Sequence, residues 1–389
     1  MSSSPCDPDL PSWVGGDAVD AHAHGFQAVD VGQKEFGDHL TESSWPAPEG
    51  CMHVDTPLGL AVRHWCAPIL DLEPHTSVET YLARRSELGP DEVNDRFVQA
   101  AELGSVLVDG GYGGSFVSFR GELEDRKIQA REIVRLETWA EQLVDSSSAE
   151  SFGDDLHDTL DSVGDEVVGF KTVLAYRSGF DIPAEPPRRD DVVRAVSRWK
   201  SRRQDGPARL DDPTILRHLL WAALEAKPSD GRSLRPVQVH VGYGDKDVDL
   251  SRTDPLLLTP LVRRIQERNA APLVLLHGYP FHRHSAYLSA VYPQVYCDVG
   301  LSVSHLGASA STVLAESLEV TPFHKMQFSS DACGLSELYF LGSVLFRRAL
   351  GTVLGRWVDG GDLAIADAER FADLILRGTA RRIYHLDDA

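Results

Sequence analysis

The stretch Asp17–His24, DAVDAHAH, contains the first of eight short extended runs, Asp17–His22, and ends in polar side chains. Runs of the same kind recur along the chain, apolar on both faces and closed by polar residues, which is the pattern of buried parallel strands. Segments with the spacing of amphipathic helices lie between them, and this alternation predicts βα units. The further runs span 105–109, 133–137, 166–174, 237–240, 273–277, 295–299 and 325–331.

Eight strands of this kind predict an α/β fold, a closed (β/α)8 TIM barrel. We expect one domain over residues 1–389, because no linker separates independent parts. Residues 26–75 form a long insertion after the first strand, rich in Trp, His, Pro and Gly. Residues 336–389 are expected to form C-terminal helices.

Composition excludes several classes of function. The net charge of −21, from 59 acidic and 38 basic residues, argues against a nucleic-acid partner. No apolar run approaches the roughly 18 residues of a membrane span, and residues 1–16 show no secretory signal. The five cysteines have no C-x-x-C spacing, which favours a reducing cytoplasm. We therefore expect a cytoplasmic protein with a small-molecule substrate, no membrane partner and no disulfide framework, able to form a homo-oligomer.

Candidate metal ligands stand at the strand ends. His22 and His24 lie two residues apart on an extended chain, so they share one side and could chelate a divalent ion. A lone H-x-H pair is more often structural. His240 and His277 each end an apolar strand, and Asp331 ends another, where a buried carboxylate is costly unless it is paired or metal-bound. A helix cap near Ser336 is the structural alternative for Asp331.

Lys171 stands within the apolar run VVGFKTVL, in a chain that has few lysines. A lysine there could extend its ammonium group to solvent from an edge strand. It could also face the barrel interior and bind an anionic substrate group. A neutral Lys171 could instead react with CO₂ to form a carbamate, which bridges metals as a carboxylate does.

The order of these residues resembles the amidohydrolase superfamily, of the amidohydrolase-2 type. H-x-H stands on the first strand, Lys on the fourth, His on the fifth and sixth, and Asp on the eighth. A closer resemblance, to the amidohydrolase-like domain of nodulin and glutamine synthetase fusion proteins, is visible in four stretches. They are VGFKTVLAYRSGFDI (168–182), VQVHVGYGDKDVDLSRTDP (237–255), LVLLHGYPFHRHSAYLSAVYPQVYCDVG (273–300) and TPFHKMQFSSDACGLSELY (321–339).

The resemblance implies one or two divalent ions, Zn²⁺ first and Mn²⁺ or Fe²⁺ as alternatives. In the binuclear form a carboxylated Lys171 would bridge the two ions. In the mononuclear form His277 would instead hydrogen-bond the substrate or the attacking water. The full implied ligand set is His22, His24, Lys171, His240, His277 and Asp331.

The resemblance also implies a metal-dependent hydrolase that cleaves an amide-type C–N bond of a small carboxylated metabolite. Activated water would attack, with Asp331 as general base and then general acid, and with His277 assisting. A mononuclear decarboxylase of the same fold and a catalytically idle regulatory module are the alternatives. Candidate substrate-binding residues follow the strand ends: Tyr176, Arg177, Tyr243 and Tyr279.

Overall fold

The computed structural model describes residues 10–112, 123, 126–204, 206, 208–227 and 233–386. The chain divides into two compact units. The first unit comprises Met1–Arg131 and Asp298–Arg381, and the second comprises Glu132–Cys297 and Arg382–Ala389.

Two parallel strands form the sheet of the first unit. They are β1 (Ala18–Ala23) and β2 (Leu103–Asp109), and Asp20 lies opposite Val106 in their register. All six residues of β1 are buried. Burial on both faces explains why its four other residues are apolar, while Asp20 and His22 are buried polar side chains of this strand.

The predicted last strand, 325–331, is not a regular strand. A 3₁₀ turn covers Phe323–Lys325, and the chain then runs beside β1. At Asp331 the backbone has a φ of 53°, in the left-handed region, which an extended strand excludes. Three backbone hydrogen bonds nevertheless join this segment to β1 and its end: Ala21 N to Phe328 O (3.0 Å), Asp331 N to His22 O (2.9 Å) and His24 N to Ala332 O (2.7 Å).

The longest helix of the first unit is Ser336–Asp359. The helix is long enough to cross a membrane, and its most apolar 18-residue window has a mean hydropathy of 1.2. However, 83% of that window is buried inside the protein. A buried core helix meets the same criteria, so packing explains its apolar character. The remaining α-helices of this unit are Gln33–Asp38, Pro57–Ala61, Ala67–Ile69, Val78–Leu88, Pro90–Ala100, Gly300–Leu306, Ala310–Ser317, Ile365–Asp373 and Thr379–Ile383, with π-helical turns at Val62–Cys66 and Leu374–Gly378.

The second unit contains a parallel sheet whose strands follow the order of the chain. The strands are β3 (Gln129–Arg135, of which Glu132–Arg135 belong to this unit), β4 (Val167–Thr172), β5 (Val237–Val241), β6 (Leu273–His277) and β7 (Val295–Cys297). β4 to β7 are buried along their whole length. β6 has the bounds of the predicted run 273–277, whereas β3 ends two residues before the end of the predicted run 133–137, because a helix begins at Leu136.

Helices alternate with these strands. They are Leu136–Ser146, Phe152–Asp161, Leu174–Arg177, Arg189–Arg203, Pro213–Glu225, Thr259–Arg268 and His282–Val291. Parallel strands followed by helices are the elements of a TIM-like α/β barrel, so the predicted class is confirmed. The described residues contain seven regular strands, one fewer than predicted.

Candidate metal centre

The end of β1 places two histidines together in the first unit. His22 is fully buried and His24 is 6% exposed. Their ring centroids lie 5.0 Å apart, edge to face. The H-x-H spacing therefore brings two imidazoles to one place, as the extended chain predicts.

Asp331 meets both imidazoles. Its Oδ1 atom lies 3.2 Å from His22 Nε2 and 3.5 Å from His24 Nε2. The side chain of Asp331 is 13% exposed. The first unit thus joins three of the six predicted ligands into one cluster: His22, His24 and Asp331.

A further carboxylate, Asp109, lies at this cluster and was not predicted as a ligand. One ligand atom from each of His22, His24 and Asp109 lies within 4.8 Å of the others. The Nδ1 atom of His24 also hydrogen-bonds the backbone carbonyl of Asp109 at 2.9 Å. A carbonyl can only accept, so this bond places the proton on Nδ1 and leaves the Nε2 lone pair toward Asp331. The sequence signal for Asp109 is its position as the last residue of β2.

Asp20 supports the cluster from within β1. Its buried carboxylate accepts from the backbone N–H of Ser330 at 2.9 Å and of His22 at 3.3 Å, and from the Ser330 hydroxyl. Burial raises the pKa of Asp20 to about 7, against the lowering effect of these hydrogen bonds. Asp20 therefore links β1 to the segment that carries Asp331, which agrees with an orienting role behind a ligand histidine.

The donor chemistry of this cluster fits a divalent metal ion. Two imidazole nitrogens and carboxylate oxygens converge in a buried place, which is the donor set that Zn²⁺ uses at catalytic sites. Mn²⁺ and Fe²⁺ accept the same donors. The cluster is thus compatible with a divalent ion, and its donors do not select one metal.

His240 and His277 are neighbours in the second unit. They lie at the ends of β5 and β6, are 2% and 0% exposed, and have ring centroids 4.7 Å apart. The Tyr176 hydroxyl lies 3.2 Å from His240 Nδ1, and their rings are 4.4 Å apart. Tyr176, a predicted substrate residue, therefore contacts one of the predicted ligands directly.

Lys171 lies in β4 of the second unit and is only 3% exposed, opposite Gln238 in the register with β5. The strand end beside it is held by Glu137, which is fully buried. Glu137 Oε1 accepts from Thr172 Oγ1 at 2.6 Å and from Val173 N at 3.0 Å. Burial raises the pKa of Glu137. The sequence placed Glu137 at a strand end, and its supporting role was not predicted.

The other predicted substrate residues differ in their surroundings. Arg177 donates from Nη1 to Glu141 Oε1 at 3.1 Å and to the Leu210 carbonyl at 2.9 Å, so its guanidinium is engaged within the second unit. The predicted carboxylate-binding role would require Arg177 to exchange these partners. Tyr243 and Tyr279 stack edge to face with centroids 6.4 Å apart, and Tyr243 N donates to Tyr279 O.

The C-terminal part of the chain matches a known protein family. Residues 203–386 match the family model described as Amidohydrolase. The predicted resemblance to the amidohydrolase superfamily is confirmed. The matched range contains His240, His277 and Asp331 among the predicted ligands.

A curated relative is similar to part of the chain. The chain is 33% identical over 239 residues to Protein fluG of Emericella nidulans. The match covers 59% of this chain and 27% of that protein, so the chain spans about a quarter of its relative.

Solved structures show the fold. A structure from Lactobacillus casei ATCC 334, described as a metal-dependent hydrolase, has a TM-score of 0.78 at 24% identity and covers 96% of each chain. A uronate isomerase from Bacillus halodurans C-125 has a TM-score of 0.60 at 13% identity, covering 96% of this chain and 94% of its own. A uronate isomerase from Thermotoga maritima also has a TM-score of 0.60, at 12% identity, covering 95% and 94%. The fold is therefore shared by proteins named as hydrolases and as isomerases.

Proposed function

We propose that the chain is a metal-dependent hydrolase that cleaves an amide-type C–N bond of a small carboxylated metabolite. The observation that carries the proposal is the convergence of His22 Nε2 and His24 Nε2 on Asp331 Oδ1, at 3.2 and 3.5 Å. A buried carboxylate is costly unless it is paired or metal-bound, and catalytic metal sites use this set of imidazoles and carboxylate. The amidohydrolase family supports an enzyme, and the hydrolytic reaction is our inference.

His22, His24 and Asp331 would hold the ion, with Zn²⁺ as the first choice. A bound divalent ion supplies Lewis acidity and a water acidic enough to give hydroxide near neutral pH. The His24 tautomer is already fixed by Asp109, because His24 Nδ1 donates to the Asp109 carbonyl. Asp109 thus prepares His24 Nε2 as a ligand and avoids a tautomer change on binding.

Asp331 would move the proton during the reaction. Its Oδ1 atom faces the two histidines, which leaves Oδ2 to accept a proton from the attacking water. The same oxygen would then deliver that proton to the leaving nitrogen as the C–N bond breaks. The partial exposure of the Asp331 side chain, 13%, agrees with access for water and substrate.

The family resemblance supports adding Lys171, His240 and His277 to the same ligand set. A carboxylated Lys171 would serve a second ion, and an uncarboxylated Lys171 would bind an anionic group of the substrate. His277 would act as a ligand or as a hydrogen-bond partner of the substrate. We propose Tyr176, Tyr243 and Tyr279 as substrate contacts, and Arg177 only if the substrate carboxylate replaces Glu141.

Metal content and turnover test the proposal together. Protein purified without chelator is analysed by plasma mass spectrometry and then assayed on γ-glutamyl and other amino-acid amides. The screen includes aromatic and unsaturated acids for decarboxylation, and glucuronate because uronate isomerases share the fold. About two ions per chain with amide cleavage supports the binuclear hydrolase.

The variant Asp331→Asn tests the ligand and proton-transfer roles of this carboxylate, and its metal content is measured beside kcat to separate the two. Asp359→Asn is the matched control at an exposed position of the helix Ser336–Asp359. Loss of a general acid–base group lowers kcat by about 10²- to 10⁴-fold, and the control should keep wild-type kcat. One ion with decarboxylation, glucuronate turnover without amide cleavage, or bound metal without any turnover would each reject the hydrolase. The last outcome would indicate an idle regulatory module.

A further inference from the structure

A cavity of about 570 Å³ lies in the first unit and shares no lining residue with the candidate metal centre. Its volume falls within the range of small-molecule sites. We propose that this cavity binds a small monocarboxylate with an apolar body, such as an aromatic acid. The inference is independent of the proposed hydrolase, because it uses none of the same residues.

The charge of the cavity wall favours an anion. Arg348, His64 and His75 line it, and no acidic side chain occurs among the described residues that form the wall. This is unusual in a chain whose net charge is −21. A wall with a fixed positive charge and one remaining imidazole N–H donor attracts carboxylates in particular, because Arg presents a planar fork that matches them.

Trp65 holds the guanidinium of Arg348. The guanidinium carbon lies 4.5 Å from the centroid of the Trp65 ring, which is within cation–π distance. The His64 ring packs edge to face against Trp65 at 4.5 Å. The positive group is therefore fixed against an aromatic platform, and less side-chain entropy is lost when a ligand binds.

The second side of the cavity is built from two histidines that contact each other. His64 Nδ1 lies 3.1 Å from His75 Nε2, so one ring donates and the other accepts. Arg63 secures this pair, since its guanidinium donates to the carbonyls of Thr76 at 2.7 Å and His75 at 2.8 Å. His75 N in turn donates to the Arg63 carbonyl at 2.7 Å.

The backbone here is unusual in two places. His64 and Trp65 belong to the π-helical turn Val62–Cys66, a conformation that is frequent at functional sites. His75 has a φ of 65°, in the left-handed region. Such conformations cost free energy and persist where the surroundings fix them, which the three bonds with Arg63 do. This local structure orients His64, Trp65 and His75 toward one cavity.

Leucine side chains set the rest of the ligand's chemistry. The cavity is also lined by Leu60, Leu306 and Leu345, beside Arg348 and the two histidines. Leu60 is 55% exposed, an apolar surface that a ligand would cover. A bare inorganic anion would leave these side chains in contact with water, whereas an aromatic body would bury them. The combination selects a carboxylate with an apolar body over phosphate.

Calorimetric titration of the full-length protein tests the site. The probe is phenylacetate, and its matched neutral probe is phenylacetamide, which has the same shape without the charge. Inorganic phosphate tests the anion alone. We expect saturable binding of phenylacetate, and at least about ten-fold weaker binding of both other probes. Phenylacetamide lacks the charge that pairs with the Arg348 guanidinium, and phosphate lacks the apolar body that would cover the leucine side chains.

Arg348→Met should weaken phenylacetate binding about ten-fold or more, and Arg348→Lys should weaken it less. The control is Arg356→Met, an exposed arginine of the same helix that does not line the cavity. If Arg348→Met does not fold, Trp65→Phe replaces it and should remove the phenylacetate-dependent change in tryptophan fluorescence. No saturable binding, equal binding of phenylacetamide, or equal loss in Arg348→Met and Arg356→Met would overturn the site.

Discussion

His22 and Asp331 contact each other through both backbone and side chain. Asp331 N donates to the His22 carbonyl at 2.9 Å, and Asp331 Oδ1 lies 3.2 Å from His22 Nε2. Asp331 holds a left-handed backbone, with a φ of 53°, which costs free energy for a residue with a Cβ. The two contacts with one residue of β1 offset this cost, so the position of the carboxylate depends on the end of that strand.

Ser330→Ala should loosen this arrangement. The Ser330 hydroxyl donates to Asp20 Oδ2 and accepts from Ala332 N at 3.0 Å, so the variant loses both hydrogen bonds in a buried place. We expect a loss of about 1–3 kcal/mol in the free energy of unfolding, measured by urea titration. If the cluster binds metal, its affinity should fall about 10- to 100-fold, as for other groups that orient ligands.

Ser201→Ala is the matched control for Ser330→Ala. Its hydroxyl donates to the Ser197 carbonyl on an exposed helix face. The control should change the free energy of unfolding by less than about 0.5 kcal/mol. Equal stability of the two variants would show that Ser330 does not hold the Asp331 segment.

Arg85 and Glu337 form a buried ion pair in the first unit. Their side chains are 1% and 0% exposed, with 2.8 Å between Arg85 Nε and Glu337 Oε1. Arg85→Met leaves a buried carboxylate without its main cation, which should cost about 3–5 kcal/mol in urea titration. The double variant Arg85→Met/Glu337→Met should recover most of this loss, because it removes both charges and keeps an apolar volume.

The exposed pair of Lys34 and Asp38 serves as the control. Its side chains are 82% and 42% exposed, and the two residues are joined at 2.6 Å on one helix. Lys34→Met should change the free energy of unfolding by less than about 1 kcal/mol. A double variant as unstable as Arg85→Met alone would contradict the charge argument and indicate a packing loss.

Much of the fold, and the proximity of His22, His24 and Asp331, could be read from the sequence. Strand β6, with LVLLH, is bounded where the pattern places it, because apolar residues on both faces leave little alternative to a buried strand. His22 and His24 meet because strand alternation is a local property of the chain. The superfamily assignment relied on the order of such local signals, and the match over residues 203–386 agrees with it.

Features that depend on distant partners were not predictable. Arg177 contacts Glu141, which lies 36 residues away on another helix, and the spacing of the two residues in the sequence does not predict this contact. The segment before Asp331 has strand-like composition, yet its left-handed turn depends on contacts with Asp20 and His22. Asp109 was counted as the end of a strand, and its bond to His24 appears only when β1 and β2 are paired.

His218 should make the stability of the second unit depend on pH. Burial, together with the smaller effect of His157 beside it, lowers the pKa of His218 from 6.5 to about 4. The unfolded chain therefore takes up a proton first as the pH falls, so His218 stabilises the fold above pH 6.5 and loses this contribution between pH 6.5 and about 4. The contribution is at most of the order of 3 kcal/mol.

Urea titrations at several pH values compare wild type with His218→Gln. The variant should lose less stability than wild type between pH 6.5 and pH 4.5, since glutamine does not titrate. His324→Gln, at an exposed histidine, should follow the wild-type profile. Parallel profiles for wild type and His218→Gln would mean that His218 titrates normally in the folded chain.

Substitutions of Glu137 can separate the effect of its charge on stability from the effect of its oxygen as a hydrogen-bond acceptor. It is fully buried, accepts from Thr172 Oγ1 and Val173 N, and has a pKa raised by burial. Glu137→Gln keeps a carbonyl oxygen for both donors and removes the buried charge, so it should change the free energy of unfolding by less than about 1 kcal/mol. Glu137→Ala leaves both donors without their acceptor and opens a void, which should cost about 2–4 kcal/mol.

Glu150→Ala, at an exposed position, gives the baseline for glutamate truncation and should stay within about 0.5 kcal/mol of wild type. The order of stability expected in urea titration is wild type and Glu137→Gln together, then Glu137→Ala. Because Thr172 follows Lys171 directly in β4, the alanine variant should also increase hydrogen exchange at the end of that strand. Equal destabilisation by glutamine and alanine would show that the ionised carboxylate, rather than its oxygen as an acceptor, stabilises the end of β4.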